Sequence, residues 1–159
     1  MRADEYEPAV ALSKAGYARD LEELADHLPA AAAQKAQDDF EAVLPQCLDT
    51  PLHSLYVVEA DGVLVGRLWL AERDLGGRHI LYIYEIAIHP EHQGRGYGRG
   101  AMLWTEEEAR RRGIGRIELN VFGRNDAARN LYRSLGYVEN SVQMAKRLTE
   151  ATQTRSRSP

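Results

Sequence analysis

The residues best suited to chemistry stand in one run, Glu85-Ile86-Ala87-Ile88-His89-Pro90-Glu91-His92-Gln93-Gly94-Arg95-Gly96-Tyr97-Gly98-Arg99-Gly100. It reads as a buried strand, a short turn, and glycines on alternate positions leading into a helix. Alternate glycines let the backbone approach a ligand without a Cβ in the way, and a helix start offers unpaired N–H groups and the positive end of a dipole. That is a cradle for an anion, most often a phosphate, to which Arg95 and Arg99 can add charge-assisted contacts. Upstream, Glu85 is a lone carboxylate in an apolar strand, where desolvation strengthens a carboxylate as a general base. It can equally serve as a structural hydrogen-bond acceptor. His89 and His92 titrate near neutrality, but they lie toward the phosphate side, and strand-end histidines there read as incidental.

Glycine cradles occur in unrelated folds, so spacing has to choose. No Lys-Ser or Lys-Thr follows Gly98, which removes the P-loop. Gly96-Tyr97-Gly98-Arg99-Gly100-Ala101 fits G-x-G-x-x-A, with Glu118 about 20 residues on, as in dinucleotide sites. Against that, Glu118 falls inside a strand, and too little chain follows for the remaining strand–helix units.

The elements that must hold this run are legible from periodicity. Leu12, Tyr17, Leu21, Leu24 and Leu28 recur at mostly helical spacing; Pro29 opens a second helix through Ala33, Ala36, Phe40, Val43 and Leu44, stopped by Pro45. Ser54 to Glu59 and Val63 to Leu70 form a β-hairpin around Asp61-Gly62. After a turn at 74–77, His79 to Ile88 is nearly continuous in apolar residues, as expected of an interior strand covered on both faces. The glycine-opened helix carries Glu106, Glu107 and Glu108 four residues before Arg110, Arg111 and Arg112, supportive pairs on solvated faces, and Gly113 ends it. A strand over Arg116–Val121 follows, and strand–helix–strand implies parallel pairing. Asn125 caps a short helix with Ala128, Leu131, Tyr132 and Leu135 facing inward, closed by Gly136. A last strand runs from about Tyr137 to Lys146. Residues 1–149 read as one domain and 150–159 as a disordered polar tail.

Composition bounds the function. With 159 residues and 44% hydrophobic content the chain suits one buried core. A net charge of −4 and a pI near 5.7 argue against a general nucleic-acid or anionic-membrane binder. Asp20, Glu22, Glu23, Asp26, Asp38, Asp39 and Glu41 make the helical region acidic, read as a solvated face. A single cysteine, Cys47, excludes an internal disulfide and suggests no metal cluster. No run approaches the roughly 18 apolar residues of a membrane span, so the expected setting is the cytoplasm.

Two motifs resemble one family. Gln93-Gly94-Arg95-Gly96-Tyr97-Gly98 matches the Q/R-x-x-G-x-G/A pyrophosphate loop of the GNAT superfamily of acyl-CoA-dependent N-acyltransferases. Asn125, Ala128, Leu131, Tyr132, Gly136 and Tyr137 look like its second signature. The resemblance covers most of the chain and implies an α/β domain: a mixed, mostly antiparallel sheet with a parallel central strand–helix–strand crossover and helices on both faces. It implies acetyl-CoA as cosubstrate, with pantetheine along the backbone of Ile86, Ala87 and Ile88 where that strand splays from the next. The pyrophosphate would lie on Gln93, Gly94, Arg95, Gly96, Tyr97, Gly98 and Arg99, and Asn125 would contact the cofactor. Tyr132 matches the family's general acid, whose ordinary pKa near 10 lies above that of a thiol; a backbone N–H near Ala87 or Ile88 would serve the oxyanion. Tyr82, Tyr84 and Trp69 are candidates to line the acceptor pocket. The expected reaction is acetyl transfer to a primary amine of a small molecule or peptide by direct attack in a ternary complex, the other reading being a non-catalytic acyl-CoA-binding or regulatory module. A homodimer is possible by the same likeness. The family also opens with a strand before its first helix, whereas Met1 to Pro8 have little strand character; the strand is either very short or lies upstream of the given start, and an open sheet edge is expected where it would pair.

Overall fold

The computed structural model describes residues 1–25 and 28–146. The chain divides into two compact units, Met1–Val121 and the remainder from Phe122.

The first unit is a four-stranded mixed sheet in the order β1-β2-β3-β4: β1 (His53–Ala60), β2 (Val63–Asp74), β3 (His79–Ile88) and β4 (Ile117–Leu119). β1–β2 and β2–β3 pair antiparallel, and β3–β4 pair parallel. The hairpin turn is as expected: Asp61 and Gly62 both have positive φ, 52° and 75°, the mirror-image turn whose twist suits a two-residue β-hairpin. β3 occupies the expected span, paired on both sides.

Helices α1 (Ala3–Ala25) and α2 (Pro29–Val43) cover one face, and α3 (Tyr97–Arg111) covers the other. The faces follow from register. Leu55, Arg67, Trp69 and Ala87 point toward α1 and α2, where Ser13 and Phe40 meet them; Tyr56, Leu68, Leu70, Leu81 and Ile83 point toward α3. The core on the α3 side is Leu68, Leu70, Leu81 and Ile83 with Ala101, Met102, Thr105 and Ala109, all buried. α3 closes as a Schellman motif: Gly113, at φ 72°, donates to Arg110 O, and Ile114 donates to Ala109 O.

Several expectations are corrected. α1 starts at Ala3, and Pro8 lies inside it. Glu5 accepts from the Arg2 N–H at 2.6 Å, an acidic side chain closing back on the helix start. The inward stripe is Tyr6, Val10, Ser13 and Leu21, while Leu12 and Leu28 are exposed. The side chain of Leu24 lies outside the described residues. Glu108 is not on a solvated face: it is buried beneath Arg111 and Arg112. Arg112 runs on to Glu72 at 3.0 Å and Tyr56 at 2.8 Å, tying the end of α3 to β1 and β2. β4 is shorter than the expected 116–121. No strand is formed by Arg2 to Tyr6, and among the described residues no strand pairs with the outer edge of β1; the Met1 amino group donates to Leu55 O there, at 3.0 Å.

In the second unit, α4 (Asp126–Ser134) is capped by Asn125, whose Oδ1 accepts from Ala128 N at 3.1 Å. Gly136, at φ 88°, ends it. The strand expected from Tyr137 to Lys146 is absent: residues 137–146 are irregular, with Val138, Val142 and Met144 exposed. Alternating apolar residues make a strand only where a neighbouring ladder takes up their N–H and C=O groups, and no ladder includes these. The expected tail at 150–159 lies outside the described residues.

Candidate active site

β3 is irregular where the chemistry was expected. Trp69 opposes Glu85 and Leu70 opposes Ile83, so Tyr84 is an extra residue, a β-bulge. The bulge sends two consecutive side chains to the α1/α2 face. Tyr84 stacks on Trp69 with ring centroids 4.5 Å apart and planes 17° apart, and Glu85 meets Arg67. The parallel ladder to β4 covers only Leu81, Tyr82 and Ile83. From Tyr84 to Ile88, β3 stays paired with β2 but has left β4. The ladder ends where the splay is expected, and among the described residues no strand pairs with Ile86, Ala87 and Ile88 on that side.

Glu85 is not a lone carboxylate. Arg67 Nη2 donates to its Oε1 at 2.7 Å, Arg67 Nε donates to Oε2 at 3.1 Å, and Ser13 Oγ of α1 donates to the same Oε2. Arg67 Nε also donates to Ser13 Oγ at 2.8 Å. The two side chains are 13% and 22% exposed, so a bidentate, largely desolvated pair replaces the isolated base. Arg67 and Ser13 are the partners of Glu85 that the sequence did not announce. A signal existed: Arg67 stands in line with Val65 and Trp69 on an otherwise apolar strand face, and a cation there needs a carboxylate. Beside this group is a cavity of about 10 Å³, lined by Val10, Ser13, Phe40, Arg67, Trp69 and Glu85 among others, with room for about one water.

Past Ile88 the chain makes a 3₁₀ turn at Pro90–His92, and Gln93 Nε2 returns to donate to Ile88 O at 3.0 Å. Gln93 therefore clamps the strand end. Gly94 and Gly96 have φ of 74° and 87°, and a Cβ on either would meet nothing within 4 Å. Backbone conformation, not crowding, demands glycine there. Gly96 is the N-cap of α3 and brings no side chain to it, so the first-turn amides at Tyr97, Gly98 and Arg99 lie at an uncapped helix start. Arg95 and Arg99 are exposed beside it.

A row of rings lies on the α1/α2 face. Phe40 is 5.3 Å from Trp69, Trp69 stacks on Tyr84, and Tyr82 meets Tyr84 edge-on at 4.9 Å. Trp69 Nε1 donates to His53 Nδ1 at 2.9 Å. Burial, aided by the charge of Arg73, pushes the His53 pKa down, so the imidazole stays neutral.

In the second unit Tyr132 is buried on α4, and burial pushes its phenol above the ordinary value. The ring lies 6.0 Å from that of Tyr137. Such a phenol keeps its proton at neutral pH. Asn125 is occupied as the α4 cap.

A mixed sheet opened beside an interior strand, followed by a glycine turn into an uncapped helix, defines the class as an α/β protein. The model of the acetyltransferase (GNAT) family matches residues 19–137, and the chain belongs to that family. It is 29% identical to the uncharacterized N-acetyltransferase YycN of Bacillus subtilis (strain 168) over 149 residues, 93% of this chain and 96% of that protein. It superposes on the crystal structure of YycN with a TM-score of 0.88 over 94% of this chain and 96% of that one. The uncharacterized N-acetyltransferase YdgE of the same organism is 30% identical over 118 residues, 74% of this chain and 75% of its own. Mycothiol acetyltransferase of Beutenbergia cavernae is 36% identical over 84 residues, 53% of this chain and 27% of that protein.

Proposed function

We propose that this chain transfers the acetyl group of acetyl-CoA to a primary amine by direct attack in a ternary complex. Acetyl-CoA is the general acyl donor of the family, and the observation that carries the reading is the continuity of β3 with the glycine turn. The unpaired edge at Ile86–Ile88 suits an extended pantetheine arm, which adds to a sheet edge as a strand would. The amides from Gly94 to Arg99 suit a pyrophosphate, with Arg95 and Arg99 adding charge.

In this reading the amine attacks the thioester carbonyl, a new C–N bond forms, and the oxyanion is met by a backbone N–H at Ala87 or Ile88. The C–S bond then breaks, and the departing thiolate takes a proton from Tyr132, whose burial keeps the phenol protonated. The neutral amine is the nucleophile, and once the C–N bond has formed Glu85 takes the proton from the positively charged nitrogen, directly or through water, while Arg67 and Ser13 hold the carboxylate in place. Asn125 contributes both its cap and a cofactor contact.

The test is isothermal titration with acetyl-CoA and CoA, followed by free-thiol release with an amine panel. Binding of acetyl-CoA with thiol release that depends on an added amine supports the transfer. Binding without amine-dependent release would leave a cofactor-binding module, and no binding at physiological cofactor concentrations would reject the whole reading.

A further inference from the structure

The ring row on the α1/α2 face begins beside Glu85, where β3 leaves β4, and two cations sit on it. The Arg73 guanidinium lies 4.8 Å from the Tyr82 centroid and 6.0 Å from that of Tyr84. Lys14 Nζ lies 5.9 Å from the Phe40 centroid at the other end of the row. Among the described residues, neither cation has a carboxylate within ion-pair distance. Both are held by ring faces instead, which leaves their N–H groups free to donate. Of the carboxylates beside the rings, Glu85 is neutralised by Arg67, and Glu118, whose charge acts on Tyr82, pairs with Arg116 at 2.6 Å. The face is therefore an aromatic floor, half-buried at Phe40, Tyr82 and Tyr84, with uncompensated positive charge at both ends.

We propose that the acceptor amine also carries an anionic group, a carboxylate, which Arg73 or Lys14 receives while the body of the acceptor lies across Tyr82 and Tyr84, beside the buried Trp69. This rests on the transferase reading and adds the acceptor class to it. An Arg fork matches a carboxylate in two parallel hydrogen bonds, and a guanidinium already held over a ring loses little freedom in making them. Spacing sets the size. Arg73 lies four residues along β2 from Trp69, which opposes Glu85, a distance of about 13 Å. An extended tripeptide spans about 10 Å, so with the length of the Arg side chain its amino terminus reaches Glu85 as its carboxylate reaches Arg73. The acidic surface of α1 and α2 points to the opposite class, a polycation, but the acids that face the rings, Glu85 and Glu118, are each paired with an arginine, which leaves Arg73 and Lys14.

The probe is the tripeptide Phe-Gly-Gly against its C-terminal amide, with and without CoA. In a Trp104→Phe background the only remaining tryptophan is Trp69, which stands in the row, so its fluorescence reports binding there. The acid is expected to bind about tenfold or more tighter than the amide, with Arg73→Ala or Lys14→Ala removing most of that preference and leaving amide binding in place. Arg73→Lys should retain part of it. Equal binding of acid and amide, no binding of either, or a preference that survives both alanine variants would overturn the proposal; amide NMR shifts of the unaltered chain give the same comparison should the Trp104 variant not fold. Because the comparison is also made without CoA, a failure to bind acetyl-CoA would count against the transferase reading separately.

Discussion

Arg67 grips Glu85 with two prongs, Nη2 to Oε1 at 2.7 Å and Nε to Oε2 at 3.1 Å, across two strands and beneath Ser13 of α1. This joins the first helix to the strand that bears the expected reacting edge. Removing one partner leaves a largely desolvated charge behind, so Arg67→Ala should destabilise the chain by about 2 kcal/mol in urea unfolding. The paired replacement Arg67→Met with Glu85→Met should cost less than the single change. For the chemistry, Glu85→Gln should alter the acidic limb of the pH–rate profile; an unchanged profile would leave the carboxylate a purely structural acceptor.

Tyr132→Phe should lower kcat by about a hundredfold or more with the acetyl-CoA affinity kept, since it removes one proton and no cofactor contact. Burial raises the phenol pKa, so the proton is present below the raised value and is lost only as pH rises through it. The alkaline limb that Tyr132 sets should accordingly fall above pH 10. Unaltered turnover in the Phe variant would remove the acid role.

Gly96→Ala places a Cβ at φ 87° with nothing to clash against. It should cost about 1 kcal/mol or more of stability from backbone strain alone, and it should weaken acetyl-CoA binding by narrowing the approach to the helix start. Gly100→Ala is the control: that position is helical and open, so the chain should gain up to about 1 kcal/mol. Thermal unfolding and isothermal titration of both variants separate strain from ligand contact.

Gly66→Ala is a different case. Its Cβ would come within 2.3 Å of Ala87 O and 2.9 Å of Ile88 Cδ1. β2 would have to move off β3 at the residues expected to seat pantetheine, costing about 1–3 kcal/mol. Acetyl-CoA affinity should fall with it, and retained affinity would show that the edge does not position the cofactor.

Glu108 sits under two guanidiniums, Arg111 first and Arg112 with it, and its pKa is lowered to about 2. A carboxyl depressed in the folded state adds stability that is complete above its ordinary value near 4.5 and is lost as pH falls toward 2. Thermal midpoints measured from pH 6 to pH 2 should drop across that window and drop less in Glu108→Gln.

Much of this architecture was legible because its signals are local. Asp61-Gly62, Pro29, Gly113 and Gly136 each state a backbone conformation in one or two residues, and the unbroken apolar run of β3 states an interior strand. What escaped depends on neighbours in space. The partner of Glu85 comes from the adjacent strand, and nothing near residue 85 in sequence announces it. The same holds for Glu108: i,i+4 spacing predicted its pairing with Arg112 but not that Arg112 also reaches Glu72 and Tyr56 and draws both side chains under cover. Tyr137 to Lys146 alternates as a strand should, yet alternation supplies only one half of a ladder. The periodicity that begins at Leu12 leaves Met1 to Pro8 ahead of the helix, whereas Glu5 closes on the Arg2 N–H and the helix runs through Pro8.

The bulge at Tyr84 also fixes how this strand can change length. In β3 the even-numbered residues Ile80, Tyr82 and Tyr84 face α1 and α2, and after the bulge the odd-numbered Glu85 and Ala87 do. Deleting Tyr84 would restore plain alternation and keep Glu85 opposite Trp69, on the face where it meets Arg67. Deleting one residue at Ile86 or Ala87 would reverse the parity of everything that follows, turning the end of the strand over just before the glycine turn. A loss of one residue is therefore tolerable here at a single place, and that place is an aromatic position of the ring row.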